Sequence, residues 1–339
     1  MADVARTSPA PRIISAVLGS PALRLIVKRL VTAIPILLGV TIITFILLNL
    51  IPGSAALQLL GPEATQEQID NLNREMGLDR PPVVRYVEWL GNVLSGELGH
   101  SLVSRQAVTD VLPDRLAVTF ELVALALFFA LALAIPLALL SARKPNGVLD
   151  RIAMVVANTG LSIPNFVLAL LLVLLFAVVL GWFPAIGYTP LSEGLGANLY
   201  SLTLPAMSIG LGLLFFYARF LRNDLVDQMQ GEDYIMTARA KGLGPWHVLV
   251  RHAFRNSSFG LITFVGLNVS FLISGTVIIE IIFSLPGAGQ YLLQSINTRD
   301  YVVLQSLVLV FATITVLASL VVDVLYAVLD PRIRYGSND

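Results

Sequence analysis

The sequence predicts an all-α integral membrane protein with six transmembrane helices, and three observations carry that expectation. The chain of 339 residues is 56% hydrophobic and only 13% charged, with a mean hydropathy of +0.81, whereas a soluble domain carries roughly 25% charge. Apolar runs at 31–51, 116–140, 152–181, 202–221, 259–282 and 303–329 are each long enough to cross a hydrocarbon core of about 30 Å as helices. The net charge is zero, but the basic residues are one-sided. Six spans put Arg6, Arg12, Arg24, Lys28, Arg29, Arg143, Lys144 and Arg151 on the side of the N-terminus. Arg219, Arg222, Arg239, Lys241, Arg251, Arg255, Arg332 and Arg334 join them there. The other side keeps only Arg74, Arg80, Arg85, Arg105, Arg115 and Arg299. By the positive-inside rule both termini are cytoplasmic.

Taken in order, residues 1–23 are rich in Ser, Pro and Ala and read as a flexible cytoplasmic tail. Residues 24–51 form the first span with its basic lead; the run is too long for a signal-peptide core and has no A-x-A site, so it stays uncleaved. Residues 52–115 make an acidic extracytoplasmic segment that opens on Pro52-Gly53. Within it 66–76 reads as a surface helix, and the stretch from Gly77 to Pro82 breaks it. Residues 83–94 are helical again, with Val84, Val87, Leu90, Val93 and Leu94 on one stripe. A solvated loop and a docking platform for an outside partner weigh equally for this segment.

The transmembrane core runs over 116–329. Residues 142–151 form a short basic turn. The third and sixth spans are longer than a crossing needs, which implies tilt or extension beyond the bilayer. Residues 181–201, with Trp182 and Tyr188 and no basic residue, fit an outer loop with aromatic anchors. The stretch 283–301 is a plain outer loop or a partly re-entrant one that protein would have to bury. Residues 330–339 are a cytoplasmic tail. Neither a tandem nor an inverted repeat is evident.

Several chemistries are excluded. With no cysteine, disulfides and thiolate catalysis fall away. His100, His247 and His252 have no metal-ligand spacing, so no metal site and no catalytic residue is expected. Nor is a nucleic-acid partner. The chain has no G-x-x-x-x-G-K-[ST] and so no P-loop of its own.

The cytoplasmic loop 222–257 is the most patterned segment. Glu232 and Asp233 suit a helix start, where acids complement the dipole. Tyr234, Ile235 and Ala238 give one apolar face, and the small Ala238, Ala240 and Gly242 leave room for a partner backbone. Lys241 suits the C-terminal end, and Gly242 is the natural stop, free to take φ > 0. Gly244-Pro245 restarts a helix. In it Trp246, Leu249, Val250, Ala253 and Phe254 share one face, while His247, Arg251 and Arg255 line the other. On the residues alone, a helix lying on anionic lipid and a docking element weigh equally.

Ala238-Arg239-Ala240-Lys241-Gly242-Leu243 resembles the EAA loop of ABC importer permeases, although the usual Glu-Ala-Ala reads Thr237-Ala238-Arg239-Ala240. Leu50-Ile51-Pro52-Gly53, Gly77-Leu78-Asp79-Arg80-Pro81, Gly96-Glu97-Leu98-Gly99-His100-Ser101 and Leu329-Asp330-Pro331-Arg332 extend the likeness. So do Lys28-Arg29-Leu30 and Glu280-Ile281-Ile282-Phe283-Ser284-Leu285-Pro286-Gly287. From Arg24 to Arg334 the chain is similar to the dipeptide/oligopeptide permease family, in particular its B-type subunit. The resemblance implies a type I ABC importer permease fold in a bacterial-type cytoplasmic membrane. It makes Glu232, Asp233, Tyr234, Ala238, Arg239, Ala240, Lys241, Gly242 and Leu243 the ATPase-coupling residues. Implied partners are a homologous C-type permease, two ATPase subunits or one fused ATPase, an extracytoplasmic substrate-binding protein and the lipid bilayer. ATP and Mg would be bound by the ATPases, with no cofactor in this chain. The implied cargo is a di- or oligopeptide, with a nickel chelate, glutathione or a haem-like ligand as alternatives. An ion-coupled secondary transporter is the competing class; it would favour midplane ionisable groups and repeat symmetry, for which Asp323 alone is thin support.

Charges in spans face a bundle interior or a cavity. Asp323 reads as a partner in a structural hydrogen bond or ion pair in preference to a substrate contact. Glu121 and Glu280, near the outer ends of their spans, are candidate contacts for a peptide's amino group. Asn158, Asn165 and Asn268 are candidate linings of the path, with packing or interhelical hydrogen bonds the weightier role. Pro35, Pro136, Pro164 and Pro205 interrupt spans, either kinking them around a path or sitting there as membrane helices routinely allow.

Overall fold

A computed structural model describes residues 21–50 and 55–329, and among these every regular element is helical. The tails 1–20 and 330–339 and the Pro52-Gly53 turn lie outside the described residues. The first helix, α1 (Pro21–Leu50), starts before the expected boundary at 24. Three short helices follow, α2 (Ala55–Leu60), α3 (Gln66–Glu75) and α4 (Pro82–Leu94). Thr65 and Gln68 close a reciprocal capping box on α3. Gly77 ends the turn after it at φ +66°.

Then come α5 (Val108–Arg143), α6 (Val148–Leu161), α7 (Asn165–Leu172, relaxing into a π-helical turn at Val173–Val179) and α8 (Leu195–Gly231). The chain continues through α9 (Asp233–Ala240), α10 (Pro245–Val248), α11 (Phe254–Gly275), α12 (Val277–Ile282), α13 (Ala288–Asn297) and α14 (Tyr301–Leu329).

Among the described residues four helices are long and apolar enough to cross a membrane: Ile26–Leu50, Val108–Arg143, Leu195–Gly231 and Tyr301–Val324. A fifth span results if α6 and α7 count as one, but they are bent by 105°. Pro164 is the cause, because its ring disfavours the α conformation at Ile163 and it offers no N–H to continue the ladder. The expected run 259–282 is likewise divided, at Thr276. Among the described residues length and apolarity thus yield four or five candidate spans, where the sequence suggested six.

The centre is α5 against α8, the most extensive helix pairing in the chain. Ala126, Ala130, Ala134 and Ala138 recur every four residues along α5, and all are fully buried. A Cβ on Gly210 of α8 would stand 2.9 Å from the Ala126 carbonyl oxygen. Small side chains therefore set the interhelical distance, as membrane helices require when no hydrophobic effect drives them together. At 1.5 Å per residue these helices run roughly 55 Å, beyond the ~30 Å core, so both reach past the bilayer and carry loops.

Two apolar clusters lie along this pair. One gathers Leu122, Leu202, Ile209, Ile279, Phe283 and Leu285. The other gathers Leu214, Tyr217, Leu221, Leu225, Ile235 and Leu249. On the periphery α1 packs on α14, leaving Ile34, Ile43, Ile46 and Leu47 exposed. Arg29 Nε and Asp323 Oδ2 form an ion pair of 2.7 Å between these helices, without directed hydrogen-bond geometry; the reading of Asp323 as structural fits this contact.

The polar segment between α1 and α5 is pinned by Asp300, which precedes α14. Its carboxylate accepts from Ser101 Oγ, from the Leu102 N–H at 3.2 Å and from the Val303 N–H at 3.3 Å. Ser306 Oγ donates to the Leu98 carbonyl at 2.7 Å. Gly99, at φ +89°, leaves no room for a side chain, since a Cβ would lie 2.6 Å from Val302 Cγ1.

The basic turn between α5 and α6 is more than a connection. Asp150, 3% exposed, takes a two-pronged hydrogen bond from Arg222 of α8 and a third from the Asn146 N–H at 2.7 Å. Removing one partner of a buried pair strands the other charge, at a cost of about 3–5 kcal/mol. Asp150→Ala is therefore expected to lower the thermal unfolding midpoint of the purified protein clearly, and Asp150→Ala with Arg222→Leu to regain most of the loss. A single variant that melts like the wild type would contradict the lock.

Candidate functional site

The loop after α8 folds as its residues dictate, but turns one of its small side chains, Ala238, inward. Glu232 is extended and precedes α9, with Asp233 in the first turn. At the far end Gly242 takes φ +77°. Its N–H donates to the Arg239 carbonyl at 2.9 Å, and the Leu243 N–H reaches Ala238 at 3.4 Å. This crossed pair is the Schellman ending that a glycine at C′ allows. Gly244 and Pro245 then open α10.

Ile235 and Ala238 are 1% and 5% exposed, buried among Leu225, Val248 and Leu249 of the same chain. The expectation that Ala238 admits a partner backbone is thus corrected: its small side chain admits the chain's own helices. The outward face consists of Met236, Thr237, Arg239, Ala240, Lys241 and Gly242.

Polar contacts tie α9 down. Tyr234 Oη donates to Gln228 Oε1 at 2.6 Å, and Arg239 Nη2 donates to the Met229 carbonyl at 3.1 Å. Burial pushes the Tyr234 phenol above its ordinary pKa, so it remains a donor. On the other flank the Arg143 guanidinium lies 5.9 Å from the Trp246 ring centroid.

The helix after the restart also departs from its expected face. A π-helical turn over Leu249–Ala253 shifts the phase, since a wider turn inserts a residue into the register. Val248, Leu249 and Ala253 are buried, whereas Trp246 and Val250 are 45% and 37% exposed. His247, Arg251 and Arg255 remain outward, as expected.

At the opposite end of α5 a second assembly involves the two acids read as pathway candidates. Glu121 accepts from Tyr188 Oη and from Asn198 Nδ2, both at 2.9 Å. Burial first, then the neighbouring carboxylate, pushes the Tyr188 phenol up to about 12, so the donor stays protonated. Glu121 lines a cavity of about 1000 Å³ whose wall also bears Asp110, Asp114, Arg105 and Arg115.

Glu280 is placed quite differently. It is fully buried, and its carboxylate accepts from Thr119 Oγ1 at 2.7 Å, Thr276 Oγ1 at 3.1 Å and the Gln290 N–H at 2.8 Å. Thr119 Oγ1 in turn accepts from the Ala288 N–H at 2.9 Å. The carboxylate thus sits at the N-terminus of α13, where free N–H groups and the dipole favour a negative charge. A Cβ on Gly287 would collide with it, and one on Gly289 would stand 2.9 Å from Oε2. In this conformation Glu280 is a latch on the stretch 283–301, closed to solvent.

The remaining candidates are dispersed. Asn158 accepts from Arg219 at 3.1 Å. Asn165 starts α7 beyond the bend and packs against Gly212. Asn268 faces the Tyr217 hydroxyl without a well-formed hydrogen bond. Sequence reasoning missed Thr119, Asn198 and the Asp150–Arg222 pair. A lone acid in an otherwise basic turn was the available signal for Asp150. No group of three or more acids or histidines poised for a metal occurs among the described residues.

Comparison with known proteins bears on the whole chain. Residues 134–335 match a family described as "binding-protein-dependent transport system inner membrane component", and residues 22–126 match its N-terminal part. A protein named as a peptide transport system permease of Brucella abortus (strain 2308) is 40% identical over 311 residues, covering 92% of this chain and 99% of the relative. One named as a peptide ABC transporter permease of Sinorhizobium fredii is 34% identical, covering 91% and 99%. The glutathione transport system permease protein GsiC of Salmonella typhi is 36% identical, covering 92% and 99%.

The latch makes its own forecast. Glu280→Leu would remove the acceptor of the Thr119 and Thr276 hydroxyls and strand the Gln290 N–H, a loss of about 1–3 kcal/mol. Both it and Gly287→Val should speed protease cleavage within 283–301 and lower the melting midpoint. Unchanged cleavage in both variants would show that the latch does not hold this segment.

Proposed function

Because this chain belongs to the family of binding-protein-dependent transport system inner membrane components, we propose that it imports peptides as one half of a paired permease, with α9 as its ATPase contact. The family is the membrane subunit of bacterial ABC importers, not the ATPase, and works with ATPase and substrate-binding partners. The driving force is therefore ATP hydrolysis in another chain.

One observation carries the coupling role. α9 buries Ile235 and Ala238 in the cluster that joins α5, α8 and α11, yet exposes Met236, Ala240 and Lys241 on its other side. A helix with its inner face fixed to the core and its outer face free is a suitable lever. Closure of two ATPase subunits, or of one fused ATPase, bound to ATP and Mg would press on Glu232–Leu243 and tilt α5 with α8. A C-type permease would supply the other wall of the path.

The one-sided basic residues support cytoplasmic termini and an extracytoplasmic segment at 52–115, in an arrangement of six spans that counts α11 with α12 as one of them. A binding protein would deliver cargo to that outer side. The large cavity beside Glu121 presents carboxylates and guanidinium groups together, which suits a zwitterion such as a short peptide. Relatives named for peptide and for glutathione transport favour the same cargo class.

Ala240→Glu places a charge on the exposed face without touching the buried one. We expect the variant to insert and melt like the wild type, to lose co-purification with the ATPase, and to abolish uptake of a labelled dipeptide. Full retention of both ATPase and transport would remove the coupling assignment.

A further inference from the structure

A second cavity, of about 410 Å³, lies between the Leu50 end of α1, the segment carrying α3 and α4, and the start of α14. Two of its lining side chains are buried donors with nothing to bind. Among the described residues Trp89 Nε1 and Gln305 Nε2 have no hydrogen-bond partner, although these residues are only 9% and 4% exposed. A buried donor left unmade is costly, and native structures rarely tolerate two together.

The charges around the cavity leave one cation unanswered. Glu88 is held by Arg80 at 2.7 Å and Glu75 by Arg105 at 2.9 Å. Arg85 has no carboxylate within ion-pair distance among the described residues. Among the described residues its guanidinium rests 5.8 Å from the Phe45 ring centroid, makes a long contact of 3.4 Å to Asn49 Oδ1 and lies within electrostatic reach of Tyr301. Burial lowers its pKa, a sign of desolvation, yet a guanidinium stays charged in proteins. A guanidinium, an indole N–H and an amide N–H₂ around one hollow are all donors.

The cavity is also continuous with a lipid-like surface. Phe45 and Leu48 of α1 line it, and the neighbouring Ile43, Ile46, Leu47 and Leu50 are each more than half exposed. A ligand that pairs an oxyanion with hydrocarbon chains would satisfy both parts at once.

We propose that this cavity is a binding site for an anionic phospholipid, whose phosphodiester is held by Arg85, Trp89 and Gln305 while its chains lie along α1. The lipid would join α1, α4 and α14 at the membrane boundary. The inference rests on α1 crossing the bilayer, and not on the cargo or the ATPase contact.

Native mass spectrometry of the intact importer, exchanged into an equal mixture of phosphatidylglycerol and phosphatidylcholine, tests it. The wild type should keep one phosphatidylglycerol per copy of this chain. Arg85→Gln should weaken retention about tenfold, as the loss of a charged hydrogen bond implies. Gln305→Leu guards against misfolding as the cause: replacing an unpartnered amide by a like-sized apolar group keeps the fold, so lower retention there reports the ligand. Retention unchanged in both variants would overturn the site. Displacement by millimolar inorganic phosphate would overturn the lipid assignment in favour of a soluble oxyanion. ATPase association and dipeptide uptake, measured on the same preparations, separate failure of this site from failure of the transport reading.

Discussion

The close approach of α5 to α8 is the constraint from which the rest of the structure hangs. In a bilayer the tails are as apolar as leucine, so two helices stay together only by van der Waals fit and buried polar contacts. The alanines at 126, 130, 134 and 138, with Gly210 opposite, supply that fit. At one end Glu280 is tied to Thr119 of α5. At the other Asp150 is tied to Arg222 of α8, near the point where the chain turns into α9. The pair is a stiff rod with a polar clamp toward each end.

Such a rod gives the permease role a mechanical meaning. A helix pressed by an ATPase transmits force only if its own attachment is firmer than the motion it drives. The buried faces of α9 and α10, the Schellman ending at Gly242 and the contacts of Tyr234 and Arg239 all act on that attachment. At the far end of the same rod lies the cavity beside Glu121, where a substrate would be received.

Much of this was legible in the residues. The apolar runs announced long helices, Pro164 the break in one of them, and Gly242 with Pro245 the stop and restart of the loop. Glycine and proline speak through local backbone geometry, which a sequence carries directly. The inward turn of Ala238 was not legible, because smallness does not say which neighbour approaches. Nor was the phase shift after Val248, since a π-helical turn leaves no pattern that 3.6-residue periodicity can detect. The burial of Glu280 was hidden for a further reason: its partner Thr119 is remote in sequence, and the turn that brings Gln290 back onto the carboxylate is not written in any periodicity. Family likeness, by contrast, rests on short motifs spread over the chain, and the relatives spanning nearly all of it agree.

The central claim is that α9 moves as one body with α5, α6 and α8. The chain has no cysteine, so Met236→Cys on α9 and Val148→Cys at the start of α6, both well exposed, can carry a unique pair of spin labels. The distance distribution between them should be measured by electron spin echo in the assembled importer, without nucleotide and with ATP trapped. The account predicts one narrow distribution, unchanged between the two states. A shift, or a second population on ATP binding, would mean that the coupling helix slides on its seat, and the rigid-lever account would be wrong.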